Sequence, residues 1–409
     1  MKKVSFISIL VLGLIIPNIN VKAVDVSNEE ELRAAIKQGG DITLTDSIEV
    51  TQPLVIDKDV NISGNYIMMQ GDNTLMTIND GDVTLDVDLY AGWNGKYKYG
   101  TTPDNVVKGQ GTGLVLNGGT VNFDGYVNIN AGNIGLEVNG GTVIGSRLGN
   151  YIYVGEETDT GYSGGKGMVV NGGTVELDEL DLELGVCSGG TALTVNNGSN
   201  VTLNGAEINS YEGNGIEVND GSVVNINSTR ADSLIFGIKN AIYLNGGSIN
   251  LNGSIGLSSS TEGKGIYINK GVNTVSDKDV LNLGKDFVFS YEEGTTPNFS
   301  IYVNPDIQEL KVTDEKNFME LLDNKLSLGF CSKSFSLAGP NSQSEEERKA
   351  TCSALGNGAN YDGPIYSNEL GKCTTVYING VKQNEPDASC TPVAEDENTE
   401  NNQGPQIVE

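Results

Sequence analysis

The sequence contains no histidine. That absence removes imidazole bases, Ser-His-Asp triads and histidine metal sites together. Positive charge is also scarce: 25 Lys and Arg stand against 54 Asp and Glu, for a net charge of −29. Arginine occurs only as Arg33, Arg147, Arg230 and Arg348. So acidic a surface repels nucleic acid and anionic membranes, so neither is expected as a partner. Beyond the first residues no apolar run approaches the ~20 residues that span a bilayer, so no membrane-embedded segment is expected. Tryptophan appears once, at Trp93.

The start of the chain reads as an export signal, residues 1–23. Lys2 and Lys3 precede the apolar stretch Val4 to Ile16, and Val21-Lys22-Ala23 suits cleavage. Export makes the protein extracellular or surface-associated. It also bears on the five cysteines. Cys187 stands alone, whereas Cys331, Cys352, Cys373 and Cys390 cluster late in the chain and are candidates for two disulfides. Three pairings are open, and their spacing fits no zinc pattern.

What the chain does have is a phrase repeated eight times: apolar-x-apolar-Asn-x-Gly, at Asn79, Asn117, Asn139, Asn171, Asn196, Asn219, Asn245 and Asn269. The Asn-to-Asn spacings are 38, 22, 32, 25, 23, 26 and 24. A period of about 22–26 residues marks a solenoid. The segments are short, β-branched and separated by Gly and Asn, which predicts strands and corners. Alternation turns Leu136 and Val138 inward and Glu137 outward. Asn and Gly then supply the corner. Asn on successive coils is expected to form an amide ladder. Tyr243 and Tyr267 share an outward slot on neighbouring coils and are expected to stack. A small residue precedes most first strands (Gly113, Gly135, Gly167, Ala192, Gly215, Ala241, Gly265), which suggests a tight turn there.

Ahead of the repeats, Ser27 and Glu30 have capping-box spacing, Leu32, Ala35 and Ile36 form an apolar helical face, and Gly39-Gly40 ends the helix. This stretch, E-L-R-A-A-I-K-Q-G-G-D-I-T-L followed by P-L-V-I-D-K-D-V-N-I-S-G-N, resembles the N-terminal cap and first coil of pectate-lyase-like parallel β-helix proteins. With the repeats, the resemblance runs over residues 28 to 300 and extends to adhesin-like autotransporter passengers. It implies an all-β fold, a right-handed single-stranded parallel β-helix with helical N-terminal and C-terminal caps. The expected organisation is a cap at 24–40, β-helix at 41–310, capping helix at 311–328, a disulfide-bonded appendage at 329–390 and an acidic tail at 391–409.

Chemistry is harder to find. The N-T-D, D-D, H-G and R-I-K signatures of polygalacturonase-type hydrolases are missing; of the arginines only Arg147 and Arg230 fall in the solenoid, and no calcium aspartates can be placed beside Arg230 as in pectate lyases. No catalytic residue is assigned. The densest acidic run gives an outward row of Glu176, Asp178, Asp181 and Glu183, for which calcium is the candidate ligand. No other cofactor is expected. Two long intervals read as insertions, Leu85 to Gly113 with Tyr90, Trp93, Tyr97 and Tyr99, and Ile144 to Gly167 with Tyr151, Tyr153 and Tyr162. Aromatic rings can cover pyranose faces, so these seven are the candidate carbohydrate-binding residues. The expectation is a non-catalytic extracellular adhesin or glycan-binding scaffold whose partner is a polysaccharide or cell-surface glycan. The alternatives are a polysaccharide lyase or glycoside hydrolase with an atypical site, and a structural spacer.

Overall fold

The computed structural model describes residues 23–93, 110–125, 127–145, 150–158, 161–178, 184–260 and 263–270, with short segments between 281 and 382. Outside the described residues lie residues 1–22 of the expected export signal, Tyr97, Tyr99, Asp181, Glu183, residues 313–328 of the expected capping helix, Cys352, Cys373, Cys390 and the expected acidic tail; residues 311–312, the start of that helix span, instead end the strand Glu309–Val312.

Each coil of the solenoid carries three short strands, and equivalent strands of successive coils pair in parallel. The coil around Asn139 shows the pattern. Ile134–Val138 forms the first face, Thr142–Gly145 the second and Tyr151–Val154 the third. Leu136 pairs with Leu114 on one side and Met168 on the other. Ten strands stack this way on the first face, from Leu54–Ile56 to Ile301–Val303. Apolar residues at equivalent inward positions therefore line up in columns, and those of all three faces form one continuous core. In longer strands such as Val60–Gln70 and Val223–Gly237 the second and third faces run on through a bend.

The Asn corner has two separate functions. The backbone reversal belongs to the glycine, with φ of 96° at Gly81, 77° at Gly119 and 79° at Gly141. A Cβ on Gly141 would lie 2.4 Å from the Gly119 carbonyl oxygen, so corner glycines also stack too closely for a side chain. The asparagine builds the ladder. Asn117 Nδ2 donates to Asn79 Oδ1 at 3.0 Å, Asn139 to Asn117 at 3.2 Å and Asn171 to Asn139 at 3.1 Å. The chain of bonds continues through Asn196, Asn219, Asn245 and Asn269. Asn304 extends it by one amide beyond the repeated phrase, at 3.2 Å from Asn269 Oδ1.

Carboxylates close the ladder at its other end. Asn79 Nδ2 donates to Asp57 Oδ1 at 2.9 Å, and on the other faces Asn61 donates to Asp41 at 2.5 Å and Gln70 to Glu49 at 2.6 Å. An ionised carboxylate only accepts, so each column ends without a stranded donor.

The small-residue column has a different cause from the expected tight turn. Gly113 and Gly135 lie inside first-face strands. A Cβ on Gly113 would come within 2.4 Å of Ile129 Cγ2, and one on Gly135 within 2.2 Å of Ile152 Cγ2. Third-face isoleucines fill the space that a larger residue would need.

The helix spans Glu29–Gln38 and packs against the strands of the first coil, burying Leu32, Ala35 and Ile36. Its cap sits one residue later than the Ser27/Glu30 expectation. Asn28 is the N-cap, its Oδ1 accepting from Glu31 N at 3.0 Å, while Glu31 Oε2 accepts from Ser27 N at 2.8 Å. Burial tends to raise the Glu29 carboxyl, but hydrogen bonds from Arg33 and Thr51 outweigh it and hold Glu29 below its ordinary range. Among the late segments, Thr375–Ile378 pairs antiparallel with Val381–Lys382 across the Asn379-Gly380 pair. Gly329–Cys331 pairs antiparallel with Tyr361–Pro364.

The third face changes the extent of the two insertions. Residues up to Trp93 belong to the strand Asp82–Trp93, and Tyr151–Val154 is a regular third-face strand. The first excursion therefore leaves after Trp93, and the second is a hairpin in which Glu156–Thr158 pairs with Gly161–Ser163. Both depart between the third and first faces, two rungs or about 10 Å apart.

Candidate binding face

The outer side of the third face collects aromatic residues that are far apart in sequence. Its strands follow a second short phrase: outward residue, β-branched residue, outward residue, small or branched residue. Asn128-Ile129-Asn130-Ala131, Tyr151-Ile152-Tyr153-Val154 and Glu207-Ile208-Asn209-Ser210 are examples. Ile129, Ala131, Ile152, Val154, Ile208 and Ser210 are buried. The alternate residues point out and remain partly exposed.

Parallel register arranges these alternate positions in two rows along the solenoid axis. One row runs Tyr66, Asp88, Asn128, Tyr151, Gly185, Glu207 and Leu234. The other runs Met68, Tyr90, Asn130, Tyr153, Cys187, Asn209 and Phe236. Tyr151 and Tyr153 have centroids 5.7 Å apart and planes within 5°, a stacked pair on one rung. Asn128 and Asn130 occupy the preceding rung, and Gly185 leaves the position after Tyr151 as bare backbone. Further along, Tyr211 and Phe236 meet at 5.8 Å and 54°.

The seven aromatic candidates are thus divided. Tyr151 and Tyr153 come together in the centre of the face. Tyr90 is only 7 % exposed and packs edge-to-face with Tyr66 at 5.7 Å, which makes it part of the packed surface rather than a loop side chain. Trp93 ends its strand and Tyr162 lies in the hairpin, at Gly161–Ser163. Asn128, Asn130, Glu207, Asn209, Tyr211 and Phe236 were not singled out from the sequence. The alternation of the third strand was the signal that would have found them.

Two carboxylates lie in these rows. Glu207 Oε1 accepts from Asn209 Nδ2 at 2.8 Å. Asp88 Oδ1 accepts from both Asn128 N and Asn128 Nδ2 at 3.0 Å. Burial raises the Asp88 pKa above the ordinary 3.8; the Asn128 bonds oppose that and the charge of Asp86 adds to it. On the first face, Tyr243 and Tyr267 meet on neighbouring coils as expected, but tilted by 33° at 5.4 Å rather than stacked, and burial with the Glu217 charge raises the Tyr243 hydroxyl.

Of the acidic run expected on the second face, Asp181 and Glu183 lie outside the described residues. Glu176 is exposed and its register neighbours are Ile144 and Thr202, while Asp178 stands beside Asn204. Among the described residues no group of three or more Asp, Glu or Cys side chains converges to hold a metal. Among the same residues no helix is long and apolar enough to cross a membrane. Compared with protein-family models, curated proteins and solved structures, the chain matches none.

Proposed function

We propose that this protein is an exported, non-catalytic glycan-binding scaffold of the adhesin type, and that it holds a polysaccharide or cell-surface glycan against the outer third face. The observation that carries the reading is the stacked Tyr151–Tyr153 pair, bordered by the Asn128 and Asn130 amides on the adjoining rung. Pyranose rings offer apolar C–H faces that suit flat aromatic groups and hydroxyl edges that suit amides. A solenoid holds such groups at fixed spacing, so little ordering remains to be done on binding. In this reading residues 1–23 direct export, the helix Glu29–Gln38 caps the first coil, and no cofactor is needed.

Retention of the full chain on immobilised polysaccharides is the test. Tyr151→Ala should weaken retention at least tenfold at unchanged fold, and retention indifferent to Tyr151 and Tyr153 would overturn the reading.

A second reading, a glycoside hydrolase with an atypical site, draws on Asp88, whose carboxyl is raised and lies near Asp86. Asp88 and Glu207 cannot form its catalytic pair. They stand four rungs apart, about 19 Å, whereas two-carboxylate hydrolysis uses separations below about 10 Å. New reducing ends released from a polysaccharide, and abolished by Asp88→Asn, would establish hydrolysis in place of simple binding.

A further inference from the structure

We infer that the third face selects an uncharged pyranose chain, lying along the solenoid axis, and excludes uronic-acid and sulfated chains. The inference rests on the glycan-binding reading above and adds the charge class and direction of the ligand.

The first support is the composition of the rows. From Asn128 and Asn130 to Leu234 and Phe236, the outward register positions are filled by Asn, Tyr, Gly, Cys, Glu, Leu and Phe. None is Lys or Arg. Among the described lysines of neighbouring coils, Lys166, Lys239 and Lys264 lie in or beyond the turn that leads to the first face, and Lys270, at the far end of the strand Lys264–Lys270, is paired with Asp220. A cluster of cations does exist on the first coil, where Arg33, Lys37 and Lys58 line a cavity of about 260 Å³ between the helix and Leu54–Ile56. Even there Arg33 is held by Glu29 and Pro53 O, and Lys58 by Lys37 O.

The second support is the state of the polar groups. Recognition of a polyanion needs desolvated cations to offset the charge it loses to water. Here the anion would meet Glu207 and the field of a protein carrying −29. A neutral sugar makes no such demand. Amides donate and accept in the same group, as hydroxyls do, so Asn128, Asn130 and Asn209 match a hydroxyl-bearing ligand in either sense. Glu207 accepts from Asn209 and can still accept sugar hydroxyls through its remaining lone pairs.

The third support is direction. Both rows run parallel to the axis, and the five rungs from Asn128 to Leu234 cover about 20 Å. Tyr151 and Tyr153 sit on the second of these rungs, Gly185 on the third, Tyr211 directly after the strand of the fourth, and Phe236, against the Tyr211 ring, on the fifth. A chain lying along a single rung, across the axis, would meet only one pair. A chain along the axis meets the Asn128 and Asn130 amides first, then the tyrosine pair, Asn209 and finally Phe236.

The experiment is affinity electrophoresis of the full chain through gels holding neutral glucans, mannans, xylans and galactans, or polygalacturonate and alginate. Runs in about 0.5 M salt shorten the screening length to a few ångströms and remove simple long-range repulsion. Retardation by at least one neutral polysaccharide, little changed by salt and lost in Tyr151→Ala but kept in Tyr151→Phe, is the expected result. Uronic chains should remain without effect in high salt. Retardation by polygalacturonate or alginate equal to that by the neutral chains would overturn the charge selection while leaving glycan binding intact. No retardation by any chain would overturn the glycan-binding reading itself. If Tyr151→Ala fails to fold, an unchanged retardation in Asn130→Ala and Phe236→Ala together would overturn the axial path.

Discussion

The Asn corner and the outer third face run side by side along the same axis, yet they follow opposite rules. At the corner each rung repeats the residue below it, so every amide finds its partner in its own copy. From Asn79 to Asn304 the bonds stay between 2.8 and 3.2 Å. On the third face the outward residue changes at every rung while the inward one hardly does. Backbone geometry dictates the first region and leaves the second free. A residue that the fold leaves free is where a surface can be fitted to a ligand.

The interior columns should respond most strongly to substitution. Leu136→Ala, in the inward first-face column, should cost about 2–5 kcal/mol in denaturant unfolding because its neighbours above and below cannot collapse into the gap. A cost under ~1 kcal/mol would mean that the columns are not close-packed. Next in size is the ladder. Asn171→Ala removes its own donor and leaves Asn196 Nδ2 without its acceptor, for an expected loss of about 1–3 kcal/mol. Asn130→Ala, an amide of the same type on the third face, should change stability by less than about 0.5 kcal/mol. Equal losses at the two sites would erase the distinction.

Much of this fold was legible in the sequence because the corner constrains two residue types at once. Gly is needed for positive φ and close stacking, and Asn for the ladder, so their recurrence gave the period, the first two strands and the ladder itself. The third strand was missed because its outer residues recur at no rung and its inner ones occupy only two positions. Tyr151-Ile152-Tyr153-Val154 therefore read as part of an aromatic loop. The glycine column read as a turn because the contact that requires it, with Ile129 or Ile152, comes from a strand not yet recognised. The candidate rows of the third face were illegible for the same reason: register joins Tyr153 to Asn130 and Asn209, which no spacing in the sequence connects.

The smallest effect concerns Asp88. Its folded pKa is raised, so the stability linked to its protonated form is present below the unfolded value near 3.8 and is lost as pH rises through the folded value. At neutral pH the carboxylate is a net cost to the fold. Asp88→Asn keeps an oxygen acceptor for Asn128 and removes the charge. It should raise the unfolding midpoint by about 1–3 °C at pH 7, a gain that fades in acid below the unfolded pKa. A midpoint lowered at pH 7 would contradict that account of the site.

The central claim is that the corner is scaffold and the third face is the binding surface. Its most direct test is to measure Asn171→Ala and Tyr153→Ala side by side, in both chemical unfolding and retention on a neutral polysaccharide. The ladder variant should lose stability by about 1–3 kcal/mol and keep its retention per folded molecule. The tyrosine variant should lose retention at least tenfold with less than about 1.5 kcal/mol of destabilisation, the scale of one aromatic pair. The reverse pattern, with retention lost in Asn171→Ala and kept in Tyr153→Ala, would contradict the claim.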